Sequence, residues 1–182
     1  MNDTTIATIE GIAPRIASTA FVAPGCRILG DVVLGEDVSI WYNCVIRADV
    51  NHVRIGARTN VQDGSTIHCD SAQGDHPGYP TLIGEDCLIG HMVLLHGCTL
   101  EDRAFVGMGA IVLNGAAIES DGMLAAGAML TSGKVIRSGQ LWAGRPAKYL
   151  RDLASEEMAS NRIAVARYVE NGRRHAAALR AS

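Results

Sequence analysis

Aromatic residues are scarce in this chain: only eight of its 182 residues are Trp, Tyr or Phe, against 25 Ala and 20 Gly, although 48% of the residues are apolar. Charged residues are also few, at 19%, and a chain this apolar is not intrinsically disordered. No stretch approaches the about 20 apolar residues that span a bilayer, and the N-terminus lacks the basic and apolar parts of a signal peptide. We therefore expect a cytoplasmic protein that does not bind membranes.

Net charge and cysteine content argue against further classes of protein. The net charge of −3 argues against nonspecific nucleic-acid binding. The five cysteines are an odd number and form no CxxC motif, so neither a disulfide framework nor a zinc ribbon is indicated. The length fits a single domain that folds without a structural metal.

Aliphatic residues instead recur every six positions, with register breaks near His52 and across residues 68–82. A small residue usually lies two positions earlier, and four of the cysteines occupy that small position, where a buried thiol acts as a small apolar side chain. Period six fits neither a helix nor a simple strand, but it is typical of hexapeptide β-helix repeats, with three short strands per coil. The repeat positions are Ile16, Val22, Ile28, Leu34, Ile40, Ile46, Ile55, Val61, Ile67, Ile83, Ile89, Leu95, Leu100, Val106, Val112, Ile118, Leu124, Leu130, Ile136 and Trp142.

The repeats end near Gly144. We therefore divide the chain into a β-helix over 1–144 and a C-terminal helix over 145–182, packed along the prism as part of one structural domain. From residue 145 onward there are eight basic and four acidic residues, so a positive helix could lie against a negative prism. A solvated helix face without an electrostatic role fits the same pattern, because exposed ion pairs contribute little.

Three histidines suggest a metal site. His68 and His96 each follow an inward repeat residue directly, so they could stack on one face of neighbouring coils, about 5 Å apart. His91 starts about 16 Å from His96 along extended chain, with a corner between them. A cyclic oligomer, most simply a trimer, would bring His91 of one subunit to the pair of the next, giving three ligands and an open position as in catalytic zinc. Three surface histidines without a shared role are the alternative.

Polar residues flank these histidines. Gln62 lies six residues before His68 and could orient a metal-bound hydroxide. Arg47 could bind an anion, or hold Asp49 and Asp63 in charge-assisted pairs. An Arg–Asp network that only locks a subunit interface is the alternative, and both roles are compatible.

Taken together, these motifs resemble the γ-class carbonic anhydrases, specifically their short-loop branch. The resemblance extends from about Ile9 to the Gly144-Arg145-Pro146-Ala147-Lys148 segment. The hexapeptide repeats and the 144–148 segment also occur in acyltransferases. The polar motifs are therefore the part of the resemblance that is specific to this family. These are Trp41-Tyr42, Val45-Ile46-Arg47-Ala48-Asp49, Asn60-Val61-Gln62-Asp63-Gly64 with His68, Ile89-Gly90-His91, and Leu94-Leu95-His96-Gly97-Cys98.

The resemblance implies a left-handed parallel β-helix with a triangular cross-section that forms a homotrimer. It implies Zn²⁺, with Fe²⁺ as the alternative in vivo, bound by His68 and His96 of one subunit and a neighbour's His91, with Gln62 hydrogen-bonding the metal-bound hydroxide. Arg47 would be the interface arginine. Three further residues would lie behind the metal ligands or at the subunit interface and hold the site residues in place: Asp49, Asp63 and Asn60. The implied reaction is the reversible hydration of CO2 to bicarbonate.

The sequence departs from the best-characterised branch of that family, which carries its proton on loop glutamates. Here Val50 follows Asp49, and the loop over 69–80 contains no Glu. His52 and His76 are candidate proton shuttles, and Tyr79 lies in the loop near the site. The alternatives left open are an acyl-CoA thioesterase, a CoA-dependent acyltransferase on the same scaffold, and a noncatalytic metal-binding or assembly module.

Overall fold

The computed structural model describes residues 3–181 and consists of a β-solenoid followed by a helix. Nearly all strands are very short, because each contributes one inward residue before the chain turns. In chain order the strands are β1 (Thr5–Ala7), β2 (Arg15–Ile16), β3 (Phe21–Val22), β4 (Arg27–Leu34), β5 (Ser39–Ile40), β6 (Val45–Ile55), β7 (Asn60–Val61), β8 (Thr66–His68), β9 (Thr81–Ile83), β10 (Leu88–Ile89), β11 (Leu94–His96), β12 (Thr99–Leu100), β13 (Phe105–Val106), β14 (Ile111–Val112), β15 (Ala117–Ile118), β16 (Met123–Leu124), β17 (Met129–Leu130), β18 (Val135–Ile136), β19 (Gln140–Ala143) and β20 (Lys148–Asp152), and the helix is α1 (Ser155–Ala181).

The strands stack in parallel on three faces of a prism. The first face contains β8, β11, β14 and β17, the second β9, β12, β15 and β18, and the third β5, β7, β10, β13 and β16. The longer strands β4 and β6 run around the corner between the first and second faces and join them into one sheet. The hexapeptide repeats fit the left-handed β-helix predicted from the sequence.

The interior is narrow and filled by the repeat positions. All of them are buried except Ile16, Val22 and Trp142, which lie toward the two ends of the solenoid. Cys26, Cys44, Cys87 and Cys98 are buried free thiols, as their small inward positions predicted. Coils that bury one aliphatic and one small residue per side leave no space for rings, which accounts for the scarcity of aromatics.

The segment after Gly144 begins as a strand rather than a helix. β20 pairs antiparallel with β19, and α1 starts only at Ser155. The helix then packs along the third face, against β3, β5, β7 and β10. No helix among residues 3–181 is long and apolar enough to span a membrane.

Candidate metal centre

His68 and His96 lie side by side on the first face, at the ends of β8 and β11. The parallel register sets His96 next to His68, so the predicted stacking of these two residues is confirmed. His68 Nδ1 lies 3.0 Å from His96 Nε2. On the other side of His68, the register with β6 places Arg47 beside it.

The second nitrogen of each ring faces a hydrogen-bond acceptor. His68 Nε2 lies 3.0 Å from Asp49 Oδ1, and His96 Nδ1 lies 2.5 Å from Asn114 Oδ1. A carboxylate and an amide oxygen can only accept, so each of these ring nitrogens carries the proton. In neutral rings, the two nitrogens that face each other are therefore unprotonated.

This donor set fits a metal ion. Two imidazole lone pairs 3.0 Å apart repel each other, and a cation bound by both would remove that repulsion. Ligating histidines commonly donate their other N–H to a carboxylate or an amide oxygen, which is the arrangement of His68 and His96. The pair offers two of the three protein ligands that an open catalytic site requires.

His91 has the same arrangement at a different corner. It follows β10, at the corner between the third and first faces, and its Nδ1 lies 2.8 Å from Asp63 Oδ2. If Nδ1–H donates to Asp63, Nε2 is the unprotonated nitrogen, and 43% of the side chain is exposed. In a neutral ring, His91 would therefore present Nε2 as a metal donor at the surface.

One chain does not bring the three histidines together. Within residues 3–181, no three His, Cys, Asp or Glu side chains converge in a way that could hold a metal ion. The cause lies in the coil, because β11 crosses the whole first face between His91 and His96. A site that uses all three requires a second copy of the chain.

Arg47 and Asp49 extend the His68 side of the site. Arg47 Nη1 lies 2.5 Å from Asp49 Oδ2, while the other carboxylate oxygen faces His68. Burial would raise the pKa of Asp49, but the hydrogen bonds from His68 and Arg47 outweigh it and hold the pKa below its ordinary value. The sequence suggested that Arg47 could hold both Asp49 and Asp63, whereas here Asp63 pairs with His91.

Gln62 and Asn60 belong to the His91 side. β7 pairs with β10, and the backbone N–H of Gln62 donates to Ile89 O, which sets Gln62 one coil away from Gly90. Gln62 Nε2 donates to Asn60 Oδ1 at 3.1 Å, and Asn60 Nδ2 donates to the backbone oxygen of Cys87 at 3.2 Å. Both side chains are buried, so their positions are fixed from within the coil.

The loop over 69–80 lies beside His96. Its Tyr79 packs on the backbone of Gly97 and Gly115, directly after His96 and in the following coil. The ring of His76 lies 4.6 Å from that of Tyr79, centroid to centroid, and His76 Nδ1 accepts a hydrogen bond from Gly78. The loop therefore brings both Tyr79 and His76 toward the His96 side of the site.

His52 lies near Asp49, the residue that contacts His68. It belongs to β6 and lines a cleft of about 270 Å³ together with Asp31 and Asp49. This cleft opens beside the carboxylate that His68 contacts. His52 thus lies near Asp49, and His76 lies near Tyr79 beside His96.

Asn114 is the residue that the sequence reasoning missed. Its signal was its spacing: it lies 18 residues after His96, one full coil later. No motif marks it, because one asparagine near a turn is common in such a chain.

Comparisons with known proteins support the hexapeptide-repeat architecture and identify a more specific group of relatives. The family described as "Bacterial transferase hexapeptide (six repeats)" matches residues 13–48. The chain is 45% identical over 163 residues to a protein named carbonic anhydrase from Geobacillus kaustophilus, covering 90% of this chain and 86% of that one. It is 43% identical over 173 residues to mitochondrial γ carbonic anhydrase 1 of Arabidopsis thaliana, covering 95% of this chain. The chain spans only 63% of the length of that plant relative.

A solved structure has nearly the same backbone. A Bacillus cereus protein described as a putative acetyltransferase superposes with a TM-score of 0.90 at 40% identity, covering 95% of this chain and 97% of that one. The same scaffold thus occurs under two functional descriptions, and the residues of the site must distinguish them.

Proposed function

Because the chain belongs to the γ-carbonic anhydrase family, we propose that it is a metal-dependent hydro-lyase that reversibly hydrates CO2 to bicarbonate at sites shared between subunits. The observation that carries the proposal is the set of ring nitrogens. His68, His96 and His91 each have one nitrogen facing a protein acceptor, so in neutral rings the other nitrogen is the one that would bind a cation. An acyltransferase of this scaffold has no need of such a set.

The proposal includes a homotrimer. The pair and His91 lie at opposite edges of the first face, so joining that face to its copy in a closed ring would complete three identical sites. Met92 and Met108, at the corner that carries His91, are 70% and 58% exposed. Apolar side chains exposed to this degree are typical of a surface that a partner covers.

The cofactor we propose is Zn²⁺, with Fe²⁺ as the alternative in vivo, since imidazole ligands suit both. When bound, such a cation supplies the Lewis acidity that activates water near neutral pH, the chemistry that CO2 hydration needs. The histidine ligands would hold it in an open site with one position for water.

The surrounding residues have separate proposed tasks. Gln62, held by Asn60, would orient the reacting water and CO2 by hydrogen bonds from the His91 side. The Arg47–Asp49 pair would fix the His68 ring and present the Arg47 guanidinium, on a side chain that is 43% exposed in the single chain, to the bicarbonate product. His76 or His52 would carry the proton to solvent, with Tyr79 bordering the approach from the loop.

The decisive experiment is stopped-flow CO2 hydration with the purified full-length protein, loaded with Zn²⁺ and, separately, with Fe²⁺ under anaerobic conditions. We expect hydration that is lost in the His91→Ala variant together with bound metal. Absence of hydration in both fully loaded forms would refute the proposal. The same samples are tested for acyl-CoA hydrolysis and acetyl transfer; turnover there without hydration would favour the thioesterase or acyltransferase alternative.

The cytoplasmic location stays a prediction from the sequence. The name of the plant relative places that protein in mitochondria. Cell fractionation with an antibody to this chain would test it.

A further inference from the structure

We infer that Asn114 is a positioning residue that fixes the tautomer of His96 and so presents Nε2 to the cation. The inference rests on the proposed function and deepens it, because it explains how one of the three ligands is oriented. It starts from a contact that no sequence motif predicted: Asn114 Oδ1 lies 2.5 Å from His96 Nδ1.

The backbone holds Asn114 in place from both sides. β14 pairs with β11, so Asn114 follows its strand one coil beyond His96. The backbone oxygen of Asn114 accepts a hydrogen bond from Gly133 N at 3.1 Å, and Gly115 N donates to the backbone oxygen of Gly97 at 2.7 Å. The side chain is therefore aimed at His96 by a turn that is bonded to the coils on either side.

Gly97 provides the space for this contact. Its φ is +56°, and a Cβ added there would lie 2.9 Å from Asn114 Oδ1 and 2.8 Å from Tyr79 Cβ. Such distances are too short for carbon. Glycine directly after His96 thus lets both Asn114 and Tyr79 approach the ring.

Asn114 differs chemically from the other two acceptors. Asp49 and Asp63 are carboxylates that face His68 and His91, whereas Asn114 accepts through a neutral amide oxygen. An amide oxygen sets the tautomer without adding negative charge to the site. His96 is accordingly the ligand whose orientation depends on hydrogen-bond geometry alone.

The test compares Asn114→Leu, which removes the acceptor at similar size, with Asn114→Asp, which keeps it. Ser132→Ala is the matched control, because Ser132 is exposed one coil further along the same corner. The tautomer of His96 is read from long-range ¹H–¹⁵N NMR of the imidazoles in metal-free protein. Zn²⁺ affinity is read by competition with a chromophoric chelator.

We expect His96 to be protonated at Nδ1 in the wild type, in Asn114→Asp and in Ser132→Ala. In Asn114→Leu, mixed tautomers and about 10- to 100-fold weaker Zn²⁺ binding are expected. Wild-type tautomer and affinity in Asn114→Leu would overturn the inference, and so would an Nε2-protonated His96 in the wild type. The last measurement needs no variant and therefore holds even if Asn114→Leu fails to fold.

Failure here is distinguishable from failure of the proposed function. The tautomer is measured without metal or substrate, so a protein with the expected tautomer but no CO2 hydration would contradict only the function. A protein that hydrates CO2 with an Nε2-protonated His96 would contradict only the role of Asn114.

Discussion

Arg103 and Asp121 form a bidentate ion pair between neighbouring coils at one corner of the prism. Arg103 Nε lies 3.1 Å from Asp121 Oδ1, and Arg103 Nη2 lies 2.9 Å from Asp121 Oδ2. Both residues have positive φ, at 63° and 60°, so they occupy the same turn position in successive coils. The pair is one step of a longer column in which the sign of the charge alternates: Asp37, Arg58, Asp86, Arg103 and Asp121.

The helix α1 is bonded to both ends of this charge column. Arg162 donates to Asp121 and Arg173 donates to Asp37, each at 3.1 Å. The two arginines are 11 residues apart, or about 16 Å along a helix, and the two aspartates are four coils apart, or about 19 Å. The two ion pairs fix the register of the helix along the third face, where β7 leads to Gln62 and β10 leads to His91. Two arginines of the helix thus pair with aspartates of the prism, which is the arrangement expected of a positive helix against a negative prism.

Reversing the charge of both helix arginines should loosen the helix. In the Arg162→Glu, Arg173→Glu double variant, each aspartate faces a like charge. Exposed pairs contribute at most about 1 kcal/mol each, so we expect Tm to fall by about 2–6 °C. Arg167→Glu, on the exposed side of the same helix, is the control and should leave Tm nearly unchanged. An equal loss in the control would show that total charge, not pairing, sets the effect.

Acid should weaken the ion pairs of Asp121 as the pH falls below 3.8. Burial would raise the pKa of Asp121, but the hydrogen bonds from Arg103 and Arg162 outweigh it and lower the pKa below the ordinary 3.8. A carboxyl with a lowered folded pKa adds stability that is fully present above 3.8 and is lost as pH falls through the folded value. Urea unfolding between pH 2 and 7 should therefore show a smaller acid-dependent loss in Asp121→Asn than in the wild type. Identical pH profiles would contradict this assignment.

Mixing two inactive variants should restore activity if the sites are shared. His91→Ala retains the His68–His96 pair, and His68→Ala retains His91. After unfolding and refolding together, about a quarter of the interfaces in randomly mixed trimers combine the intact parts. We expect about a quarter of wild-type bound metal and hydration. Mixing His68→Ala with His96→Ala is the control, because both lack part of the same pair, and recovery there would contradict the sharing of sites.

One of the two candidate shuttle histidines, His76 or His52, should limit proton release. If His76 is the shuttle, His76→Ala lowers kcat at low buffer by at least about tenfold, while kcat/KM for CO2 stays unchanged, and added imidazole restores the rate. The same result with His52→Ala would assign the role to the cleft side instead. His175→Ala is the control, since that ring lies on α1 with its Nδ1 2.9 Å from Tyr42 Oη. Wild-type buffer dependence in both variants would remove both candidates.

The repeat explains which parts of the structure could be predicted from the sequence. Because the repeat has a fixed length, residues at equivalent repeat positions point the same way in every coil. The burial of Ile67 and Leu95 and the stacking of His68 on His96 therefore follow from spacing. The charge column was not visible, because its members are separated by 21, 28, 17 and 18 residues. The extension within β6 and the loop over 69–80 add residues between repeats, but the strands on either side of them still pair in register. Partners such as Asn114 depend on how each corner turns, which periodicity does not encode.

The narrow interior should tolerate enlargement worse than a typical core. Ala104 is fully buried at a small inward position, two residues before the repeat position Val106. A larger side chain there must displace backbone that is bonded to the coils on both sides, so it cannot be relieved by one rotamer change. Ala104→Leu is expected to lower the free energy of unfolding by about 1–3 kcal/mol or more. Ala177→Leu, on the exposed side of α1, should change it by less than about 0.5 kcal/mol. Urea unfolding of both variants measures this difference, and equal stabilities would mean that the coils adapt to larger side chains.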